Sequence, residues 1–144
     1  VHCNSTNIVD VDLSPTTADH TDFGSVLTCT GTIVRTFTVQ NSGNTFLTSV
    51  SNIAITGAHA VDFSISVMPM STLGPGGSTT FQIMFNPSAT GLRTATINIT
   101  TNDCDESPYN FAIQGFGNFN IAPVAICRNI SVYLNASGTV NIFL

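Results

Sequence analysis

The chain has 144 residues, 42% of them hydrophobic, enough for one ordinary domain with a buried core and too many for a disordered segment. Only 8% are charged, against about 25% in a typical soluble domain, and there is no lysine. A formal net charge of −5 removes the basic footprint of nucleic-acid binding and any attraction to an anionic membrane, and no apolar run approaches the ~18 residues that span a bilayer.

Strand signals then follow one another along the chain. Ile8 to Leu13 alternates, with Val9, Val11 and Leu13 on one face and Asp10 and Asp12 on the other, and predicts a first strand. Thr32 to Gln40 sets Ile33, Arg35, Phe37 and Val39 on one side before the Asn41-Ser42-Gly43-Asn44 turn. Val50 to Thr56 carries Ile53 and Ile55 and stops at Gly57. Phe63 to Val67 is period-2 throughout and is closed by Pro69. After the Gly74-Pro75-Gly76-Gly77 turn, Thr80 to Phe85 aligns Phe81, Ile83 and Phe85. Arg93 to Thr101 directs Ala95, Ile97 and Ile99 inward. Arg93 shares that face, so it is expected to mark a sandwich end or to pair with an acid. Tyr109, Phe111 and Ile113 form the seventh strand, and no stretch sustains a helical period. Seven short strands separated by turns predict an all-β, immunoglobulin-like antiparallel sandwich over residues 1–117.

Residues 118–122 read as a linker, and Pro123 opens a different pattern. Ile130, Val132 and Leu134 alternate on one arm and Val140, Ile142 and Leu144 on the other, about the Asn135-Ala136-Ser137-Gly138 turn. A two-stranded β-hairpin of this kind cannot bury its apolar face alone. It is expected to be a donor-strand element that contacts a neighbouring subunit, or the start of a second module.

Four cysteines at wide spacing, Cys3, Cys29, Cys104 and Cys127, contain no CxxC pair. Two disulfides in an oxidising compartment are therefore expected in preference to zinc or thioredoxin-type chemistry, with four buried free thiols as the alternative. Cys29 precedes the second strand and Cys104 precedes the last, so a Cys29–Cys104 bond is expected if those loops share an end. Cys3 and Cys127 would then pair within one chain or between subunits. Asp103, Asp105 and Glu106 crowd three carboxylates into one turn, read as a solvated acidic turn and at most a weak Ca²⁺ site. Asp19 and Asp22 are expected to make Asx-turns. His2, His20 and His59 lie in terminal or turn contexts, and no GxSxG, HExxH or phosphate-loop motif occurs, so no enzyme and no cofactor is expected.

Residues 8–117 resemble the repeat of bacterial choice-of-anchor D surface proteins, a relative of the abnormal-spindle/hydin (ASH) immunoglobulin-type fold. The residues that carry the resemblance include Thr21-Asp22-Phe23-Gly24, Arg35 to Gly43, Ala60-Val61-Asp62-Phe63, Phe85 to Gly91, Asn102 to Glu106 and Phe111 to Gly115. Pro123 to Cys127 and Asn129 to Val132 resemble the opening of a hyalin-repeat-like module. The resemblance implies a structural module of a secreted or cell-surface fibre, whose partners are copies of itself or neighbouring repeats. The alternative is an adhesin-type domain that recognises a glycan or host-surface ligand through loops at one end of the sandwich.

Overall fold

The computed structural model describes residues 1–119 and residue 121. The hairpin expected within 123–144, with Cys127, Ile130, Val132, Leu134, Val140, Ile142 and Leu144, lies outside the described residues. Among the described residues, alternation of apolar with Thr, Ser and Asn side chains resolves into eleven strands: β1 (His2–Cys3), β2 (Thr6–Asn7), β3 (Asp22–Leu27), β4 (Ile33–Gln40), β5 (Leu47–Thr48), β6 (Ile53–Thr56), β7 (Phe63–Val67), β8 (Thr72–Leu73), β9 (Ser78–Phe85), β10 (Gly91–Ile99) and β11 (Tyr109–Asn118). One 3₁₀ turn, Ala60–Asp62, is the only helical piece among the described residues.

Two sheets face each other. One has the order β2-β1-β4-β9-β7 and the other β3-β11-β10-β6, with β5 and β8 forming a separate two-stranded ribbon. Pairing is antiparallel except that β3 runs parallel to β11. Phe37 lies opposite Phe81 in the β4–β9 register, and Ile97 opposite Phe111 in β10–β11. Side chains of the two inner faces therefore meet in layers. Phe23, Phe37, Phe81, Phe85, Phe111, Ile83, Ile97 and Ile113 are fully buried. Their rings make tilted, stacked and edge contacts, with centroids from 4.8 Å (Phe63 to Phe85) to 6.4 Å (Phe23 to Phe37). Each such ring contributes about 1.5–3 kcal/mol by leaving water, which makes this layer the main stabilising feature. Gly115 sits where a Cβ would stand 2.4 Å from the Phe85 ring, so the residue facing this phenylalanine has to lack a side chain.

The alternation over Ile8 to Leu13 does not produce a strand. Only Ile8 is buried, while Val9, Val11 and Leu13 are exposed and Val11 has φ +58°. The polar residues decide the local path. The Asp10 carboxylate accepts from the Asn110 amide at 2.7 Å, and the Asp12 carbonyl accepts from the Ala112 amide at 2.7 Å. The segment is thereby strapped along β11 with its valines outward. The β1–β2 hairpin, turning at Asn4 and Ser5 with φ +49° and +60°, strand β3 beside β11, and the β5–β8 ribbon are three elements beyond those read from the pattern. β11 extends to Asn118, one residue past the expected boundary.

Candidate functional site

The residues singled out by chemistry separate into three places. At one end of the sandwich the loop after β4 and the loop between β10 and β11 enclose a cleft of about 400 Å³. Asn41, buried at the close of β4, shapes the first loop. Its Nδ2 donates to the carbonyls of Thr45 (2.7 Å), Leu73 (3.1 Å) and Gly74 (3.2 Å), and its Oδ1 accepts from the Gly43 amide. Asn102 ties the second loop to the first, accepting from the Thr48 amide at 2.7 Å and donating to the Phe46 carbonyl at 3.1 Å. Ser107 Oγ closes the acidic turn on both polar groups of Thr101. Asp103, Asp105 and Glu106 all line the cleft, with Phe46, 63% exposed, also on its wall. At its floor the Tyr109 hydroxyl donates to the Ile8 carbonyl. Burial, with the charges of Glu106, Asp10 and Asp12, pushes this phenol up to about 12, so it stays a donor at any ordinary pH.

Carboxylates, amides and one bare aromatic ring make this cleft suited to a neutral polyol or a cationic group. No histidine lines it. Among the described residues no group of three or more His, Cys, Asp and Glu side chains is placed to hold a metal ion.

The second place lies on the inner side of the β1–β4 edge. Cys3 is buried, its thiol donating to the Thr36 carbonyl at 2.9 Å and standing 3.6 Å from His20 Nδ1. Burial pushes the thiol up, while burial and the Arg35 charge push His20 down, so near neutrality both are uncharged. A protonated thiol beside a neutral imidazole is the reverse of an activated nucleophile. Burial works against the adjacent Asp19 carboxylate, yet donors from Thr21 and Thr16 outweigh it and hold the group below the usual range. Asp22 accepts from the Gly24 amide at 2.8 Å, so both residues form the Asx-turns their sequence context implies.

The third place is a buried ion pair. Arg93 Nε donates to Asp62, whose side chain is fully covered, and Asp62 also accepts from the Ser88 amide at 3.0 Å. This is the acid expected for an inward arginine. His59 is structural too, its Nδ1 accepting from the Thr94 amide at 3.0 Å.

The expected Cys29–Cys104 bond requires correction. Thr28 donates twice to the Asn118 carbonyl, at 3.0 and 3.1 Å, which puts Cys29 at the last residue of β11. Cys104 lies in the loop that enters β11 at Tyr109. The length of that strand, roughly 30 Å at ~3.4 Å per residue, separates the two, whereas a disulfide tolerates a Cα separation of only about 4.4–6.8 Å. The parallel β3–β11 pairing is the cause: it places the β3–β4 turn opposite the β10–β11 loop. Cys29 and Cys104 are exposed free thiols. For the Cys3–Cys127 pairing, one partner is buried and the other lies outside the described residues.

The architecture has solved counterparts. A Porphyromonas gingivalis protein of unknown function superposes with a TM-score of 0.55 at 19% identity, over 66% of this chain and 42% of that one, so this chain spans less than half of that protein. The ASH/PapD-like domain 7 of human CEP192 superposes with a TM-score of 0.51 at 16% identity, covering 84% of this chain and all of that domain. At these identities the likeness is one of fold. No curated protein matches the sequence. The profile of HYDIN/CFA65/VesB-like, Ig-like domains matches residues 12–116, ending short of the segment read as hyalin-like. Domains of this ASH type are structural or binding modules, typically without catalytic machinery. By that match, the chain belongs to the HYDIN/CFA65/VesB-like family of Ig-like domains.

Proposed function

We propose that this domain is a structural module of a secreted, cell-surface fibre or filament, joined to copies of itself or to neighbouring repeats by strand addition. The observation that supports this most is the free edge at β7. Among the described residues Phe63 to Val67 is the outermost strand of its sheet, and no charged residue lies between Phe63 and Met70. Val67, Met68 and Met70 beyond it are exposed. Edges of this length are ordinarily guarded by lysine or other charges, because unpaired amides and carbonyls template another chain. The alternating apolar sequence from Ile130 to Leu134 has the length of β7 and supplies a donor from the same chain. Repeated head to tail, such a contact is heterologous and open-ended. Electron microscopy of the full chain at high concentration tests it, with capture in trans of a chain ending at Phe119 as the second measurement. A full chain that stays monomeric and captures nothing defeats the proposal.

A second reading has its own observation, the acidic cleft with Phe46 exposed beside it. It makes the domain an adhesin-type module for a glycan or a host-surface protein. Neutral and amino sugars titrated against wild type and Phe46→Ala test this reading. It requires binding that the substitution weakens, and the absence of binding to wild type refutes it.

A further inference from the structure

Two exposed thiols stand at opposite ends of the sandwich. Cys29 lies in the β3–β4 turn, held beside the last residue of β11 by the two bonds from Thr28 to the Asn118 carbonyl. Cys104 lies in the loop that enters β11 at Tyr109, on the wall of the acidic cleft. With the length of β11 between them they cannot meet within one chain, and the buried Cys3 has its thiol bonded to the Thr36 carbonyl. The two ends also differ in shape and charge. The turn is tight: the Gly31 amide returns to the Leu27 carbonyl at 3.1 Å, Cys29 has φ +68°, and a Cβ on Gly31 would stand 2.6 Å from Val26. It is also neutral, with no charged residue between Asp22 and Arg35. The opposite end is concave, about 400 Å³, and carries Asp103, Asp105 and Glu106.

We propose that the β3–β4 turn of one copy enters the acidic cleft of the next, and that Cys29 forms a disulfide there with Cys104 of the neighbouring copy. The character of the two ends selects this pairing. A narrow, neutral turn flanked by the exposed Thr32 brings a hydroxyl donor to the carboxylates and no charge of their own sign. Joining Cys104 to Cys104 would set two groups of three carboxylates against each other. Joining Cys29 to Cys29 would press two convex turns together and leave both clefts empty. A link between unlike ends is heterologous, so each added copy presents a fresh thiol and the chain grows without closing. The link deepens the fibre reading, on which it rests for its neighbours and its oxidant, and it uses neither the β7 edge nor any residue beyond Asn118.

The oxidant is a disulfide of the glutathione or oxidoreductase class. The Cys29 thiolate displaces one sulfur of the carrier, giving a mixed disulfide. The Cys104 thiolate of the neighbouring copy then attacks Cys29 Sγ and expels the second carrier sulfur as thiolate. The carrier ends as two thiols, which take up the two electrons and the two protons that the cysteines lose.

The test oxidises an equal mixture of unlabelled and heavy-nitrogen full chain with glutathione disulfide. Trypsin together with an Asp-specific protease, without reductant, then places the four cysteines on four different peptides. A ladder of covalent oligomers is expected on a non-reducing gel, with Cys29 peptides joined to Cys104 peptides and light arms joined to heavy ones. Linkage confined to one label, or of either cysteine to a different one, overturns the proposal, as does the absence of linkage. Cys29→Ser and Cys104→Ser are each expected to lose the joined peptide alone and to recover it when mixed; a mixture that fails to recover it overturns the head-to-tail pairing. Thr32→Asp puts a carboxylate on the turn and is expected to slow the ladder by roughly tenfold through like-charge repulsion; an unchanged rate overturns docking in the cleft. Electron microscopy in reductant keeps the two readings separate. Filaments in reductant without the Cys29–Cys104 peptide after oxidation refute only the link, and the peptide without filaments in reductant refutes only strand addition.

Discussion

Removing the Asp62 carboxylate is the sharpest probe of the packing. In Asp62→Ala the Arg93 guanidinium, only 15% exposed, keeps its charge with no acid opposite, and the Ser88 amide loses its acceptor. Breaking a buried pair from one side costs about 3–5 kcal/mol, because the remaining charge stays desolvated. For a chain of this size that is roughly 10 °C or more in Tm. Arg93→Met exposes the converse problem, and Asp62→Ala with Arg93→Met removes both charges. The double variant is therefore expected to lie closer to wild type than the sum of the singles, with a coupling of about 2–3 kcal/mol in urea unfolding. The pH dependence has a definite sign. Burial raises the Asp62 pKa, but the bonds from Ser88 and Arg93 and the arginine charge overcome it and leave the folded value depressed. Its contribution is present above the unfolded carboxylate value of about 3.9 and lost as pH falls through the folded one. The gap between wild type and Asp62→Ala should therefore be constant near neutrality and close below about pH 4. An Asp62→Ala loss under about 1 kcal/mol would refute the buried-pair argument.

Gly115→Ala drives a Cβ into the Phe85 ring and should cost about 1–3 kcal/mol, recovered in part by Phe85→Leu; a neutral substitution would mean that the two sheets are not in contact there. EDTA should leave the melting temperature within about 1 °C, since the carboxylates of Asp103, Asp105 and Glu106 form no metal group; a large loss would place calcium in the acidic turn. A chain ending at Phe119 keeps all of β11 and its Thr28 bonds and should unfold cooperatively as a monomer, whereas aggregation on purification would show that the sandwich needs the residues beyond Phe119.

Six of the seven expected strands are present because their inward residues are large and their outward residues polar, so period and burial agree. The failure at Ile8 to Leu13 is instructive. Its alternation is as regular as that of Phe63 to Val67, but the Asp10 carboxylate and the backbone of Val11 and Asp12 bond to β11, and three bonds to a strand already in place outweigh the burial of three aliphatic side chains. The inward arginine left two readings open, a sandwich end or a pairing with an acid, and nothing in sequence said that the acid would come from the 3₁₀ turn before β7. The Cys3–His20 contact joins residues seventeen apart through a β1 hairpin only two residues wide, too short to show a period. The acidic cleft depends on Asn41 and Asn102, whose bridges between loops leave no mark on the alternation of the sequence. The disulfide expectation failed on one topological detail, the parallel direction of β3, which cannot be read from alternation at all.

Among the described residues the four edges of the two facing sheets are guarded unequally, and this bears on assembly. β2 has two residues and β6 four, too little to template a partner. β3 is irregular at Gly24, φ +77°, where its register with β11 shifts. β7 has only a bulge between Ile65 and Val67 and the terminating Pro69. Its outward side chains, Ser64 and Ser66, are small, exposed and neutral, and an incoming strand can cover them at little cost. Placing lysine at both positions leaves the core untouched, so the stability of a chain ending at Phe119 should stay within about 0.5 kcal/mol. An added strand would have to strip water from two ammonium groups, which edge strands elsewhere use as a barrier. The full chain carrying Ser64→Lys and Ser66→Lys should therefore remain monomeric under conditions in which wild type forms filaments, as read by light scattering and electron microscopy. Filaments that persist unchanged in this variant would exclude β7 as the acceptor and move the contact to another face.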